Sequence, residues 1–458
     1  MLGMYIHTHW GYNHPYAART WTLADWEGYL GGLAALGYDF IMIWPLLDSM
    51  PPVPNASDRA FLEMIAHAID LAQVRFGMRV AVIACPNTIG NDAASRYTFQ
   101  ERPYFTCEQK VDPRDKAAVA AFLQGRRNQL ALLAKADALA IIDSDPGGYA
   151  GSTNDEFVDL VRGQIDIFRA LNPQAELIYW MLFGWENYNR FWAAVQTWNP
   201  GDPAPGIDVR PDVFVETLAL IRERIPEPWS LFACRQEHEN AISSLDLQEK
   251  SVGFPYGLVE GEPTFPLTNW EVDRLEEGLA SRLVRLSRRG VMANAQTHCL
   301  QLPHIYLFAH LARGGTRDTV NLAAFGERLI PGAGAAIAHA WSALASEDPE
   351  RQRDAAHGLR EEARRSHGRG KLAGLLFGDQ DRFMIDLAMN LDARARLVDF
   401  DAAVQSGQGV VPALRRLLER LRPYQRRIGF VDAYGGPLEA RLNRPLARLG
   451  EPLIDEVL

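Results

Sequence analysis

The chain has 458 residues, 47% hydrophobic and 23% charged, with 57 acidic against 47 basic side chains and a formal net charge of −10. That length predicts one large globular domain with a smaller one. The acidic balance argues against a nucleic-acid partner, and there is no run of about 18 apolar residues that could span a membrane.

The first apolar, β-rich run is "MYIHTHW". The N-terminus around it lacks the basic start, apolar core and small-residue cleavage site of a signal peptide, so the expected location is cytoplasmic. A helical pattern follows, "TLADWEGYLGGLAALG", with Thr22 as its start signal and Gly37 as its stop. The second run, "YDFIMIWP", leads into "DRAFLEMIAHAIDLAQVRFG", which Gly77 closes before the third run, "RVAVIACP". Next come the helical "DKAAVAAFLQGRRNQLALLAKA", then "DALAIIDSD", "ELIYWMLFGW", "WSLFACRQ" and "SVGFPYGLV". The helical "NWEVDRLEEGLASRLVRLSRRG" reaches Gly290, and the last run is "GVMANAQTH".

Runs that are apolar throughout, rather than alternating, belong to strands buried on both faces, as in a parallel sheet. Eight strand–helix units predict an α/β fold of the (β/α)8 TIM-barrel type over residues 1–315. The competing doubly wound sheet lacks its G-x-G-x-x-G signal after the first strand. From Gly314 the strand signal stops, and residues 316–458 are expected to be a helical C-terminal region, a candidate homo-oligomer interface. Its charged stretch "EDPERQRDAAHGLREEARRSHGRG" is expected to be a solvated helical face. Cys85, Cys107, Cys234 and Cys299 are scattered without a C-x-x-C pair and are expected to be reduced thiols.

A barrel carries its chemistry where strands end and loops begin. The first strand end offers His7, His9, Trp10 and Asn13, the second Trp44, and the third Cys85 and Asn87. The fourth supplies Asp143 and Asp145, and the fifth Trp185, Glu186 and Tyr188. After the sixth come Arg235, Gln236, Glu237, His238 and Glu239, and after the seventh Tyr256, Glu260 and Glu262. The eighth brings Asn294 and Gln296, with His298 just beyond. The opposite strand ends, "YDF", "MRV" and "RRGV", have the look of a solvated floor.

Residues two apart on a strand point the same way, so Asp143 and Asp145 are both expected to face the mouth. Against this stands the reading of "DPGG" as a turn in which the carboxylates only accept from backbone amides. "QEHEN" has a similar alternative as an acidic first helical turn. Tryptophans beside carboxylates and amides suit carbohydrate, since rings stack on sugar faces while polar groups take the hydroxyls.

The aromatic first strand, "W..YL..LAALGYDFIMIWP", the aspartates of "IIDSDPGG" and "GVMANAQTHCLQLPHIYLFAHLA" together resemble the (β/α)8-barrel glycoside hydrolases, in particular barrels related to the family 20 hexosaminidases. The resemblance covers residues 1–315 and implies a hydrolase of O-glycosidic bonds needing no cofactor. It departs at the fourth strand, where Asp143-Ser144-Asp145 replaces the adjacent Asp-Glu pair of hexosaminidases. Glycoside cleavage needs one protonated and one ionised carboxyl. The expected acids are Asp143 with Glu237 or Glu239, with Asp145 positioning substrate or tuning a neighbour's pKa. His7, His9, Trp10, Trp44, Asn87, Trp185, Glu186, Tyr256, Glu262, Asn294, Gln296 and His298 are candidates for binding the sugar. Two alternatives stay open. His7-x-His9 is the opening pattern of metal-dependent amidohydrolases, whose further ligands this chain matches only in part. A barrel that binds a glycan without cleaving it is the other.

Overall fold

A computed structural model of the protein describes residues 1–8, 13–103, 106–199, 204–256, 267–268, 270–295, 298–366, 380–429 and 437–454. Its centre is a closed barrel of eight parallel strands. They are β1 (Leu2–His7), β2 (Phe40–Trp44), β3 (Arg79–Ala84), β6 (Ala138–Ile142), β7 (Glu176–Met181), β8 (Trp229–Ala233), β9 (Ser251–Gly253) and β10 (Gly290–Ala295), neighbouring in that order and closing β10 onto β1. These are the eight runs legible in the sequence. Among the described residues two further strands, β4 (Thr88–Gly90) and β5 (Glu108–Lys110), form an antiparallel hairpin in the long connection after β3.

Alternate residues of the barrel strands fill its interior. Tyr5, Met42, Trp44, Ala81, Ile83, Ala138, Ala140, Ile142, Ile178, Trp180, Phe232, Val252, Phe254 and Met292 form one buried cluster. The floor carries charge, as expected, but the charge is spent on structure. Glu176 pairs with Arg79 at 2.9 Å and with Arg289 at 2.7 Å, and Asp137 accepts from the Val80 amide at 2.8 Å. Gly290 is required by close approach: at φ 152°, a Cβ there would stand 2.2 Å from the Met1 carbonyl oxygen.

The chain divides into two compact units. One holds residues 1–9, 37–256 and 277–294; the other holds 10–36, 257–276 and 295–458. The second unit is helical. Within it Thr22 caps the helix Leu23–Ala35 by a reciprocal pair of hydrogen bonds with Asp25. The charged helix Pro349–Ser366 is solvated on one face only. Gln352, Ala355, Ala356, Leu359 and Ala363 are buried on the other, while Arg353 and Arg360 pair with Asp399 and Asp392 of the helix Gln380–Ser406. None of the described helices is long and apolar enough to cross a membrane. None of the four cysteines is joined in a disulfide.

Candidate active site

The first unit brings together charged groups from the carboxyl ends of three neighbouring strands, β3, β6 and β7. From β6 comes Asp145. The strand stops at Ile142, which lies in the barrel interior, and Asp145 takes a left-handed backbone, φ 51°, that non-glycine residues adopt at a cost. The even spacing of Asp143 and Asp145 therefore does not set their directions, because the strand has ended before either.

Asp143 is fully buried and spends both oxygens as acceptors. It receives Ser144 Oγ at 2.7 Å, the Tyr179 hydroxyl at 3.0 Å, and the amides of Leu182 and Phe183 at 3.1 and 3.2 Å. Burial pushes its pKa up, and these donors pull it back. It ties the exit of β6 to the loop after β7, and none of its bonds leads to the mouth. Asp145 is exposed by its own area yet walled in by protein. Burial raises its pKa, Lys110 and the Tyr188 hydroxyl lower it, and its open face lets solvent moderate the rise.

The hairpin β4–β5 supplies two groups that the sequence inventory did not contain, Glu108 and Lys110. Burial, reinforced by the like charges of Asp48 and Asp145, pushes Glu108 to about 8 against the pull of Lys110. Its Oε2 is buried without a hydrogen-bond partner among the described residues. Burial lowers Lys110 to about 8, against the opposing influence of Glu108 and Asp145. The two titrate as a coupled pair. From the helix Trp185–Gln196 after β7 come Tyr188 and Trp192, over whose rings the Lys110 ammonium lies at 5.7 and 4.0 Å. Lys110, Gly148, Tyr149, Ala150, Trp192 and Gln196 line a cavity of about 590 Å³. Gly148, at φ 82°, is needed there, because a Cβ would come within 2.8 Å of Asn189 Oδ1.

Buried hydrogen bonds hold the hairpin. Arg126, from the helix Lys116–Leu130, donates to the carbonyls of Cys85 and Thr88 at 3.2 and 2.8 Å and to Gln164 and Gln129 at 3.0 and 2.8 Å. Burial lowers it only to about 10, so it remains cationic at neutral pH. Asn87 donates to the carbonyls of Val111 and Gly148, at 2.8 and 3.2 Å, joining the hairpin to the Asp145 loop.

The remaining candidates are placed as follows. Glu237 and Glu239 line a separate cavity of about 430 Å³ with Arg282; Glu239 pairs with Arg282 at 3.2 Å, and Glu237 with Arg235 at 3.5 Å. Trp185 is wholly buried, stacked on Phe157 and donating to Ser152, while Glu186 accepts from the Asn154 amide. Trp44 is buried in the barrel and donates to Asp48 at 3.0 Å. His7 lies against Tyr5, ring centroids 4.1 Å apart, and burial lowers it to about 3, so it is neutral. His238 is also held neutral, accepting from the amides of Cys234 and Arg235. Asn294 is buried, and Tyr256 is 38% exposed with its ring 6.3 Å from that of Trp180. His298 belongs to the helical unit, where it meets the Tyr29 hydroxyl at 2.8 Å. His9, Trp10, Glu260, Glu262 and Gln296 lie outside the described residues. Among those described, no three His, Cys, Asp or Glu side chains converge as a metal cage would require.

No protein-family model matches the chain, and no curated protein is significantly similar in sequence. Solved structures do share its fold. A GH138 enzyme targeting pectin rhamnogalacturonan II aligns with a TM-score of 0.51 at 8% identity, over 97% of this chain and 64% of that one. A variant of the Thermobaculum terrenum O-GlcNAc hydrolase gives 0.50 at 11% identity, over 97% and 93%. The family 89 glycoside hydrolase from Clostridium perfringens gives 0.50 at 11%, over 92% and 53%. The chain thus spans less than two thirds of the first and third of these. These three neighbours are glycoside hydrolases, and at these identities the likeness is one of fold.

Proposed function

We propose that the protein is a glycoside hydrolase acting on the O-glycosidic bond of an oligosaccharide or glycoside, with Glu108 as the protonated carboxyl and Asp145 as the ionised one. The observation that carries the reading is the pair itself: two carboxyls at neighbouring strand ends, one pushed to about 8 and the other, though also raised by burial, drawn back by Lys110 and the Tyr188 hydroxyl. Pairs of carboxyls whose environments separate their pKa values divide acid from base work. The fold neighbours lend support, since they are glycosidases of differing substrates. The reading stands at the level of glycoside hydrolase barrels rather than of family 20.

In this reading Glu108 delivers its proton to the leaving oxygen as the bond to the anomeric carbon breaks. Asp145 then stabilises the positive charge at that carbon and either attacks it or takes a proton from the water that does. Lys110 keeps Asp145 ionised, and Tyr188 orients it. Asp143 acts as a positioning residue through the β7 loop, while Glu237 and Glu239, each paired with an arginine in a separate cavity, take no part in the step. The test is a panel of chromogenic glycosides and polysaccharide digests with Asp145→Asn. Turnover should fall by about 10²–10⁴-fold with an unchanged melting temperature. Full activity in the folded variant would refute the assignment.

A further inference from the structure

The Lys110 ammonium is placed unlike its counterparts. Lys135 reaches Asp70 at 2.6 Å, and Lys250, although it too lies over a ring, that of Trp229 at 4.4 Å, reaches Glu227 at 2.6 Å. Lys110 instead is seated over the Trp192 ring at 4.0 Å with Tyr188 beyond, and among the described residues it forms neither a hydrogen bond nor an ion pair within 4.0 Å. Ring contacts fix the position of a cation without using its N–H donors. Those donors stand on the wall of the 590 Å³ cavity, beside the Gln196 amide and the ring of Tyr149. The other nearby cation, Arg114 over Tyr149 at 5.5 Å, already gives two bonds to Asp112 at 2.9 and 3.0 Å.

A neutral sugar could take such donors, but the electrostatics favour an anion. With Glu108 protonated, the charge of Asp145 does not offset what burial costs this ammonium, which sits below its ordinary range. A further negative charge against it would be rewarded. One ammonium with a neutral amide balances the charge of a monoanion more closely than that of a dianionic phosphate.

We propose that the sugar bound here is a uronic acid, its carboxylate set against Lys110 and its ring against the aromatic wall of Trp192 and Tyr149. This rests on the glycoside hydrolase reading and narrows its substrate class. The test is calorimetric titration of the full chain with D-galacturonate and D-glucuronate against D-galactose and D-glucose, for the wild type, Lys110→Gln and Lys110→Arg. At least one uronate should bind about tenfold or more tightly than its neutral counterpart. Lys110→Gln should erase that difference and Lys110→Arg should keep most of it, neither with a lowered melting temperature. Equal affinities, no measurable uronate binding, or a preference that survives Lys110→Gln would overturn the proposal. Uronate preference without cleavage of any uronide would count against the hydrolase reading alone, and cleavage of neutral glycosides without the preference against this inference alone.

Discussion

Glu108→Gln is expected to leave the protein more stable and almost inactive. With its folded pKa raised to about 8 from an ordinary 4.5, the side chain keeps a proton in the native state that the unfolded chain releases above about 4.5. The native state therefore binds more protons across that window, and stability falls as pH rises from about 4.5 to 8. At about 1.4 kcal/mol per pH step, neutrality carries a ceiling of roughly 3 kcal/mol of lost stability at pH 7. Glu108 is only partly enclosed, and solvent screening brings the expected figure to about 1–2 kcal/mol. Glutamine is neutral at every pH and should recover that amount, while having no proton to give the leaving group. Differential scanning calorimetry at pH 5 and pH 8 should show the variant gaining on the wild type as pH rises. Turnover should drop by about 10²–10⁴-fold, and the alkaline limb of the wild-type rate profile near 8 should vanish. Lys110 shares that pH range, and Lys110→Gln separates the two. Removing the ammonium takes away a charge that holds Glu108 down, so the limb should move to higher pH. A variant that loses stability relative to the wild type as pH rises, or a limb that disappears with Lys110 instead, would refute the assignment of the proton to Glu108.

Two further outcomes are expected. Asp143→Asn puts an amide nitrogen against donors from Ser144, Tyr179, Leu182 or Phe183, so it should cost about 2–4 kcal/mol of stability, read as a lower midpoint in urea; an unchanged midpoint would mean that these bonds do not hold the loop. Exhaustive chelation should leave activity intact, because the carboxyl pair asks nothing of a metal and His7 is engaged with Tyr5; activity lost together with a stoichiometric ion in elemental analysis would favour the amidohydrolase reading.

The barrel was legible because its strands are buried on both faces. "FIMIW", "RVAVIA", "ALAII" and "ELIYWM" tolerate no polar alternation, and each is a strand of the barrel. Turn chemistry was legible where it is local, as in the Thr22 cap and the left-handed Gly37 and Gly77. The site was less so, and the reason lies in how short the elements are that build it. β5 is three residues long, too few for period-two alternation to register, although Glu108 and Lys110 two apart on "EQK" share one face. Spacing also misled at "IIDSD", where alternation was carried two residues past the end of the strand. What separates Asp143 from Asp145 is the number of donors that tertiary structure brings to each. The loop after β7, some forty residues on, turns its amides and the Tyr179 hydroxyl toward Asp143, whereas Asp145 is met by Tyr188 and a lysine held off by a tryptophan ring. A carboxylate saturated with donors is poor both as a base and as a nucleophile, because every lone pair it would offer is already engaged. The aspartate left with fewer partners, at the exposed position of the pair, is the one with electrons to spare for substrate.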